Sequence, residues 1–351
     1  MGEVLDALYA ASAFKPQPGR SLLGLMHVPF DSLTGRRTCE ARTSEALAGH
    51  RRVVVAGGMG TGKSSLIEWV VDLAGGGTAR PAAEAYFPIR VPLRVDAPEV
   101  ATHRGAFLGH LAGTVRRASA LQLGAPTPRA SPVGWSLTPK LSLPFADVAL
   151  ELAREVDQVV PSGPAPDDVH LDALRTVFAS LEAGGLLPVV VFDDADAWLD
   201  TAWQNDAAAA RALFFGTVPR LLAEELDVAT ILAALPRYLA EPGFVAARDF
   251  LGPVVRIPAL PQPDQLGRVV LGHARAALED TGLTVGSFLE PAALGLLHER
   301  YLRRHRDLRH TLNVLDTALT RARDQEGTRV EARDVGHALL DVPLGSTGRS
   351  G

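Results

Sequence analysis

Gly57-Gly58-Met59-Gly60-Thr61-Gly62-Lys63-Ser64 is the stretch whose reading decides the fold. Its spacing, G-x-x-x-x-G-K-[ST], is that of a phosphate-binding loop. Before it, Arg52-Val53-Val54-Val55-Ala56 reads as a buried strand. After it, Ser65-Leu66-Ile67-Glu68-Trp69-Val70-Val71 reads as a helix with one apolar face. Strand, glycine loop and helix stand in the order this chemistry needs. Glycines let backbone N–H groups curl around phosphates with no Cβ in the way, and the helix N-terminus adds the positive end of its dipole. The expected binding residues are therefore Gly57, Gly58, Met59, Gly60, Thr61, Gly62, Lys63, Ser64 and Ser65. Lys63 reaches the β- and γ-phosphates, and the Ser64 hydroxyl holds Mg²⁺.

Lysine usage supports this reading. Arginine supplies 32 of the 35 basic residues, and lysine occurs only at Lys15, Lys63 and Lys140. A chain that uses arginine almost everywhere keeps a lysine in this loop, where a compact ammonium suits a phosphate cradle and a planar guanidinium does not.

Bulk properties exclude several other classes. The 351 residues allow a large core and two domains. No apolar run reaches the roughly 18 residues of a membrane span, and the N-terminus has no basic stretch leading into an apolar one. A single cysteine, Cys39, excludes an internal disulfide and fits a reducing compartment, so a cytoplasmic location is expected. The net charge of −5 makes no global electrostatic case for nucleic acid.

Expected strands are Val53–Ala56, Ile89–Leu93, Val189–Phe192, Val228–Leu235 and Val254–Ile257, separated by helical stretches. This predicts an α/β fold: a P-loop parallel sheet flanked by helices, followed by a small all-helical lid domain. The expected organisation is an N-terminal segment over 1–50, a core over 51–260, a lid over 261–342 and a flexible tail over 343–351. Within the core, about 122–146 is rich in Pro, Ser, Thr and Gly around Trp135, and is expected to be an insertion that meets a protein partner. Asp167 or Asp168 is expected to cap a helix that ends at Gly184-Gly185.

A phosphate loop needs a metal partner. Val189-Val190-Val191-Phe192-Asp193-Asp194 reads as a buried strand whose C-terminal end carries the first acid, the edge at which open parallel sheets bind ligands. Asp193 is expected to hold Mg²⁺ with Ser64, and Asp194 to polarise an attacking water. His305 and His310 lie five apart with no Cys pair or acidic cluster, so no other metal site is expected.

Phosphate loop, hydrophobic-Asp-Asp strand, two further strands and a helical lid together resemble the AAA+ ATPases and the related STAND switch ATPases. The resemblance runs from about Leu22 to Leu340. It implies ATP as the nucleotide, hydrolysis assisted by Mg²⁺, and assembly into a homo-oligomer. Leu23-Gly24-Leu25 with Pro29-Phe30 looks like the start of bacterial secretion and transposition ATPases, where this segment helps hold adenine. Arg306-Asp307-Leu308-Arg309-His310-Thr311-Leu312-Asn313-Val314-Leu315 is similar to the sensor-2 helix of origin-recognition-type ATPases. The match implies that Arg309, or failing it Arg306, touches the γ-phosphate. Ala229-Thr230-Ile231-Leu232-Ala233-Ala234-Leu235 departs from the pattern by ending without a polar sensor. Arg237 stands where STAND proteins carry a γ-phosphate-sensing arginine, and Arg248 where AAA+ relatives place an arginine finger.

The resemblance implies an AAA+ switch that couples ATP binding and hydrolysis to a protein or DNA partner. The alternative is a STAND-like signalling or defence ATPase with slow turnover and a separate effector. Asp194 in place of the Glu common in relatives shifts the expectation from fast catalysis towards a nucleotide-gated switch.

Overall fold

The computed structural model describes residues 3–15, 23–24, 26–71, 85–93, 97–123, 146–161, 163–193, 195, 198–199 and 207–342. Asp194, Leu22, Leu25, residues 124–145 of the expected insertion with Trp135, and the 343–351 tail lie outside the described residues. The chain divides into two compact units. One comprises 1–41, 57–69 and 256–351; the other comprises 42–56 and 70–255.

The second unit is built on strands β1 (Arg52–Ala56), β2 (Ala85–Arg90), β3 (Leu186–Phe192), β4 (Ala229–Ala234) and β5 (Val254–Arg256). They form one sheet in the order β2-β3-β4-β1-β5. β2 pairs with β3, β3 with β4, and β4 with β1, all parallel. Parallel neighbours need crossovers. The helices Arg104–Gln122, Ala146–Val159 and Asp167–Ala183 make the one from β2 to β3, and Ala207–Arg220 lies on the way from β3 to β4. Every residue of β3 and of β4 is buried, the continuous apolar pattern of strands covered on both faces.

Two local expectations need correction. The second strand is Ala85–Arg90, not Ile89–Leu93, with only the Val91 N–H bond to Val191 O continuing the pairing. Pro88 hid it from view, since a proline inside an apolar run reads as a break. The fold tolerates it because β2 is the sheet edge, where one side of the strand needs no N–H. The helix Asp167–Ala183 has Pro166 at its N-cap and no side-chain cap bond. Asp167 already lies in the first turn, and its carboxylate turns instead to Arg104 at 3.1 Å.

Aromatic packing holds the sheet edge that leads to Asp193. Phe192, 1% exposed, stacks with Phe107 at a centroid distance of 6.2 Å and meets Phe214 edge-on at 5.7 Å. In register, Phe192 lies opposite Leu232 while Ala56 lies opposite Ala234. With β4 between them, the axes of β1 and β3 are about 10 Å apart, two strand spacings.

Among the described residues the first unit is mainly helical outside the phosphate loop, with one isolated parallel bridge between Leu289 and Val330. Its C-terminal helices are Pro263–Leu278, Pro291–Arg303, Leu308–Asp324 and Ala332–Asp341. The N-terminal helix Glu3–Ala10 buries Leu5 and Leu8 completely. Phe14 stacks on Phe288 at 6.0 Å, and the Arg323 guanidinium lies 3.7 Å above the Tyr9 ring. Gln265 Nε2 donates to Leu33 O, and a Cβ on Gly272 would fall 2.2 Å from Val28 Cγ2. The N-terminal segment is thus an integral wall of this helical unit.

A consequence is a titratable weak point in this wall. His273 is pushed down to about 4 by burial, which outweighs its hydrogen bond to the Ala13 backbone, and the charge of His27 adds to the fall. Its Nδ1 has no partner among the described residues. The unfolded chain takes up this proton near pH 6.5 and the folded chain only near pH 4. Stability is therefore intact above about pH 6.5 and is lost as the pH falls towards 4, by up to about 3 kcal/mol. Thermal unfolding between pH 7.5 and 4.5 checks this: His273→Leu should flatten the acid slope, and equal slopes in both proteins would refute the assignment.

Candidate functional site

β1 runs into the glycine loop, and the helix Lys63–Val71 leaves it. The helix starts two residues earlier than its apolar pattern alone suggests, so Lys63 and Ser64 belong to its first turn. Its first hydrogen bond of the main chain is Leu66 N–H to Gly62 O at 3.0 Å. The N–H groups of Lys63, Ser64 and Ser65 precede it, at the positions where a helix N-terminus offers donors to an anion. Gly60 (φ +67°) and Gly62 (φ +99°) are left-handed, which turns successive N–H groups to one side. A Cβ on Gly57 would lie 2.5 Å from Thr61 Oγ1, and one on Gly62 would lie 3.1 Å from Phe30 Cζ. A side chain at Gly57 would have to displace Thr61, and one at Gly62 would press on Phe30 from a left-handed backbone.

Lys63 is buried, and its ammonium donates to Gly57 O and Gly58 O, both at 3.0 Å. Thr61 Oγ1 donates to Gly58 O at 2.9 Å. A cation thus sits inside a ring of backbone groups at a helix N-terminus, which is an anion-binding arrangement. Ser64 is half-buried, and Met59 at the loop tip is exposed.

The C-terminal helices reach this loop through one turn. Between the helices Pro291–Arg303 and Leu308–Asp324 the chain passes through His305 (φ +54°) and Arg306 (φ +68°). Two successive left-handed side-chain-bearing residues cost about 1 kcal/mol each or more. The turn delivers Leu308 N–H and Arg309 N–H to Gly60 O, at 3.0 and 3.3 Å. Asp307 caps the second helix by accepting His310 N–H at 2.9 Å. The place a Cβ on Gly60 would take is 1.9 Å from Asp307 Oδ1 and 3.2 Å from Arg309 Cβ. Arg309 therefore stands beside the phosphate loop with an exposed side chain, while Arg306 lies exposed in the turn. Arg300 Nε donates to His310 Nε2 at 3.3 Å. Burial and then the Arg300 charge push the imidazole below its ordinary value, against the pull of Asp307.

Sequence reasoning missed a buried network on the N-terminal side of the loop. His27 Nδ1 bonds Ser65 Oγ at 2.9 Å, and His27 Nε2 bonds Glu40 Oε1 at 2.9 Å. Ser65 Oγ also donates to Leu23 O at 3.1 Å. The Glu40 carboxylate further accepts Phe30 N–H at 2.7 Å and Asp31 N–H at 2.8 Å. Burial works against that charge, but the bonds from His27 and the two N–H groups outweigh it and hold the carboxyl below the usual range. The His27 ring meets Phe30 edge-on at 5.5 Å and lies 5.7 Å from Trp69. A lone His and a lone Glu, 13 residues apart in a helix-poor stretch, give no periodic signal.

In the sheet unit, Asp193 is buried and follows β3 at the C-terminal edge, the edge at which β1 ends. Arg237, in the turn Pro236–Ala240 after β4, lies over the Tyr238 ring at 5.2 Å. Arg248 opens the short helix Arg248–Leu251 and is exposed.

A parallel α/β sheet in the order β2-β3-β4-β1-β5, with a glycine loop after β1 and a helical region after β5, is a fold this chain shares with several solved structures. The chain is similar to Cdc6p from Pyrobaculum aerophilum, at 17% identity over 96% of this chain and 72% of that one, with a TM-score of 0.52. It is similar to the ORC1 protein of Aeropyrum pernix, solved in complex with DNA, at 16% identity over 93% and 71%, with a TM-score of 0.52. The ORC2 protein of Aeropyrum pernix, solved in ADPNP–ADP complexes, matches at 16% identity over 88% and 67%, with a TM-score of 0.50. No protein-family model and no curated protein matches the chain. Among the described residues no helix is long and apolar enough to cross a membrane.

Proposed function

We propose that the chain is an ATP-binding AAA+ switch that hydrolyses ATP with Mg²⁺ and acts on DNA as an oligomer. The observation that carries the reading is the buried Lys63 ammonium within a left-handed glycine loop at a helix N-terminus. In this reading the N–H groups from Gly58 to Ser65 hold the phosphates, and Lys63 exchanges its carbonyl partners for phosphate oxygens. Ser64 and Asp193 hold Mg²⁺, which supplies neutralisation of phosphate charge. Asp194 orients the attacking water, and Arg309, beside Gly60, reads the γ-phosphate. Arg248 acts on a neighbouring subunit's nucleotide, and Arg237 is an additional sensor. DNA is supported by the likeness to the DNA-bound Aeropyrum pernix ORC1 protein, against a net charge of −5.

Phosphate release, measured with and without duplex DNA, tests the reading. Asp193→Asn should lower turnover by about 100-fold, the several kcal/mol a metal contributes to charge stabilisation, while ATP still binds. Turnover unchanged in Asp193→Asn would remove the metal assignment, and a wild-type protein that binds no ATP would sink the whole reading.

A further inference from the structure

The network around His27 reaches the helix that begins in the phosphate loop. Counting hydrogens defines its state. Ser65 Oγ has a single hydrogen, and Leu23 O can only accept, so that hydrogen points to Leu23. His27 Nδ1 must then donate to Ser65 Oγ. The Glu40 carboxylate, already taking two backbone N–H groups, accepts from His27 Nε2. All these bonds are made together only when both ring nitrogens carry hydrogen. The His27 and Glu40 side chains are 2% and 3% exposed, so the pair is shielded from solvent and geometrically complete. Its far end grips Ser65, one residue past the expected metal-holding Ser64, in the first turn of the helix whose N–H groups face the loop. Next to it, the Phe30 ring closes against Gly62.

We propose that His27, held by Glu40, is a positioning residue for the nucleotide site. Through Ser65 it locks the first turn of the Lys63–Val71 helix to the N-terminal segment, so that phosphate binding and docking of that segment occur as one event. The proposal rests on the ATP-binding reading above. The Ser65 hydroxyl thereby serves the segment at Leu23 and His27, and its backbone N–H is what remains for phosphate.

The test is equilibrium titration with a fluorescent ATP analogue, alongside thermal unfolding of each variant. His27→Ala and Ser65→Ala should each weaken binding about tenfold, the lower range found for hydrogen-bond partners standing behind a ligand. Because they act through one bond, the double variant should bind no worse than either single one. Ser65→Thr, which keeps a hydroxyl, should recover most of the loss, and Glu40→Gln should resemble His27→Ala. Leu5→Ala, buried in the N-terminal helix, serves as a control that lowers stability without touching the network. Wild-type affinity in His27→Ala, or an affinity loss matched by Leu5→Ala at equal loss of stability, overturns the proposal. Additive losses in the double variant overturn it too. A Lys63→Ala protein that binds ATP normally would instead sink the ATP-binding reading itself.

Discussion

Lys63→Ala should abolish measurable ATP binding, with an affinity loss of about 100-fold or more. The ammonium makes charge-assisted bonds, each worth about 1.5–3 kcal/mol when a partner is lost, and several phosphate oxygens would share it. In the free protein it already holds Gly57 O and Gly58 O at 3.0 Å, so its loss also removes the donor that organises the loop's carbonyl side. Lys63→Arg should not restore binding, since a planar fork does not fit where a compact ammonium donates to two adjacent carbonyls. Isothermal titration with ATP and Mg²⁺ checks both variants. Affinity within about threefold of wild type in Lys63→Ala would mean that the loop is no phosphate site.

Gly60→Ala should detach the C-terminal helices from the phosphate loop. Gly60 is left-handed, where a Cβ costs about 1–2 kcal/mol. The added carbon would also fall 1.9 Å from Asp307 Oδ1, so Asp307 must swing away and give up its bond to His310 N–H. Losing a helix cap costs about 1 kcal/mol more. The two backbone bonds from Leu308 and Arg309 to Gly60 O would be strained in the same movement. The sum of about 2–3 kcal/mol corresponds to a fall in Tm of roughly 3–4 °C in a chain of this size. Nucleotide affinity should fall with it, because Arg309 is carried by the displaced helix. Adding Asp307→Ala removes the clash but leaves both the left-handed strain and the lost cap, so it should recover only what straining the Leu308 and Arg309 bonds to Gly60 O costs. Calorimetric unfolding of the single and double variants checks this, and an unaltered Tm in Gly60→Ala would show that the loop and the helix do not depend on each other.

The legible part of the fold consists of features written in adjacent residues. Val53-Val54-Val55 and Val189-Val190-Val191 mark buried strands because both faces of a parallel sheet are covered, so nothing polar interrupts them. The glycine loop was legible because its glycines, lysine and serine act through their own backbone and side chains within eight positions. Ala85–Arg90 was placed late because Pro88 imitates a strand end, and only its position at the sheet edge makes the proline harmless. The helix before β3 looked capped by an aspartate, but Asp167 answers to Arg104, 63 residues away.

By itself the sequence determined an α/β sheet with a phosphate loop between β1 and a helix, and a helical region after β5. These follow from short-range spacing, which constrains backbone conformation directly. Tertiary structure alone decided what surrounds the loop. His27 meets Ser65 across 38 residues, Gln265 meets Leu33 across 232, and the Asp307 carboxylate closes on Gly60 from the C-terminal helices. Such pairings are chosen by which buried polar groups can satisfy one another once the chain is packed, and no local period records that choice.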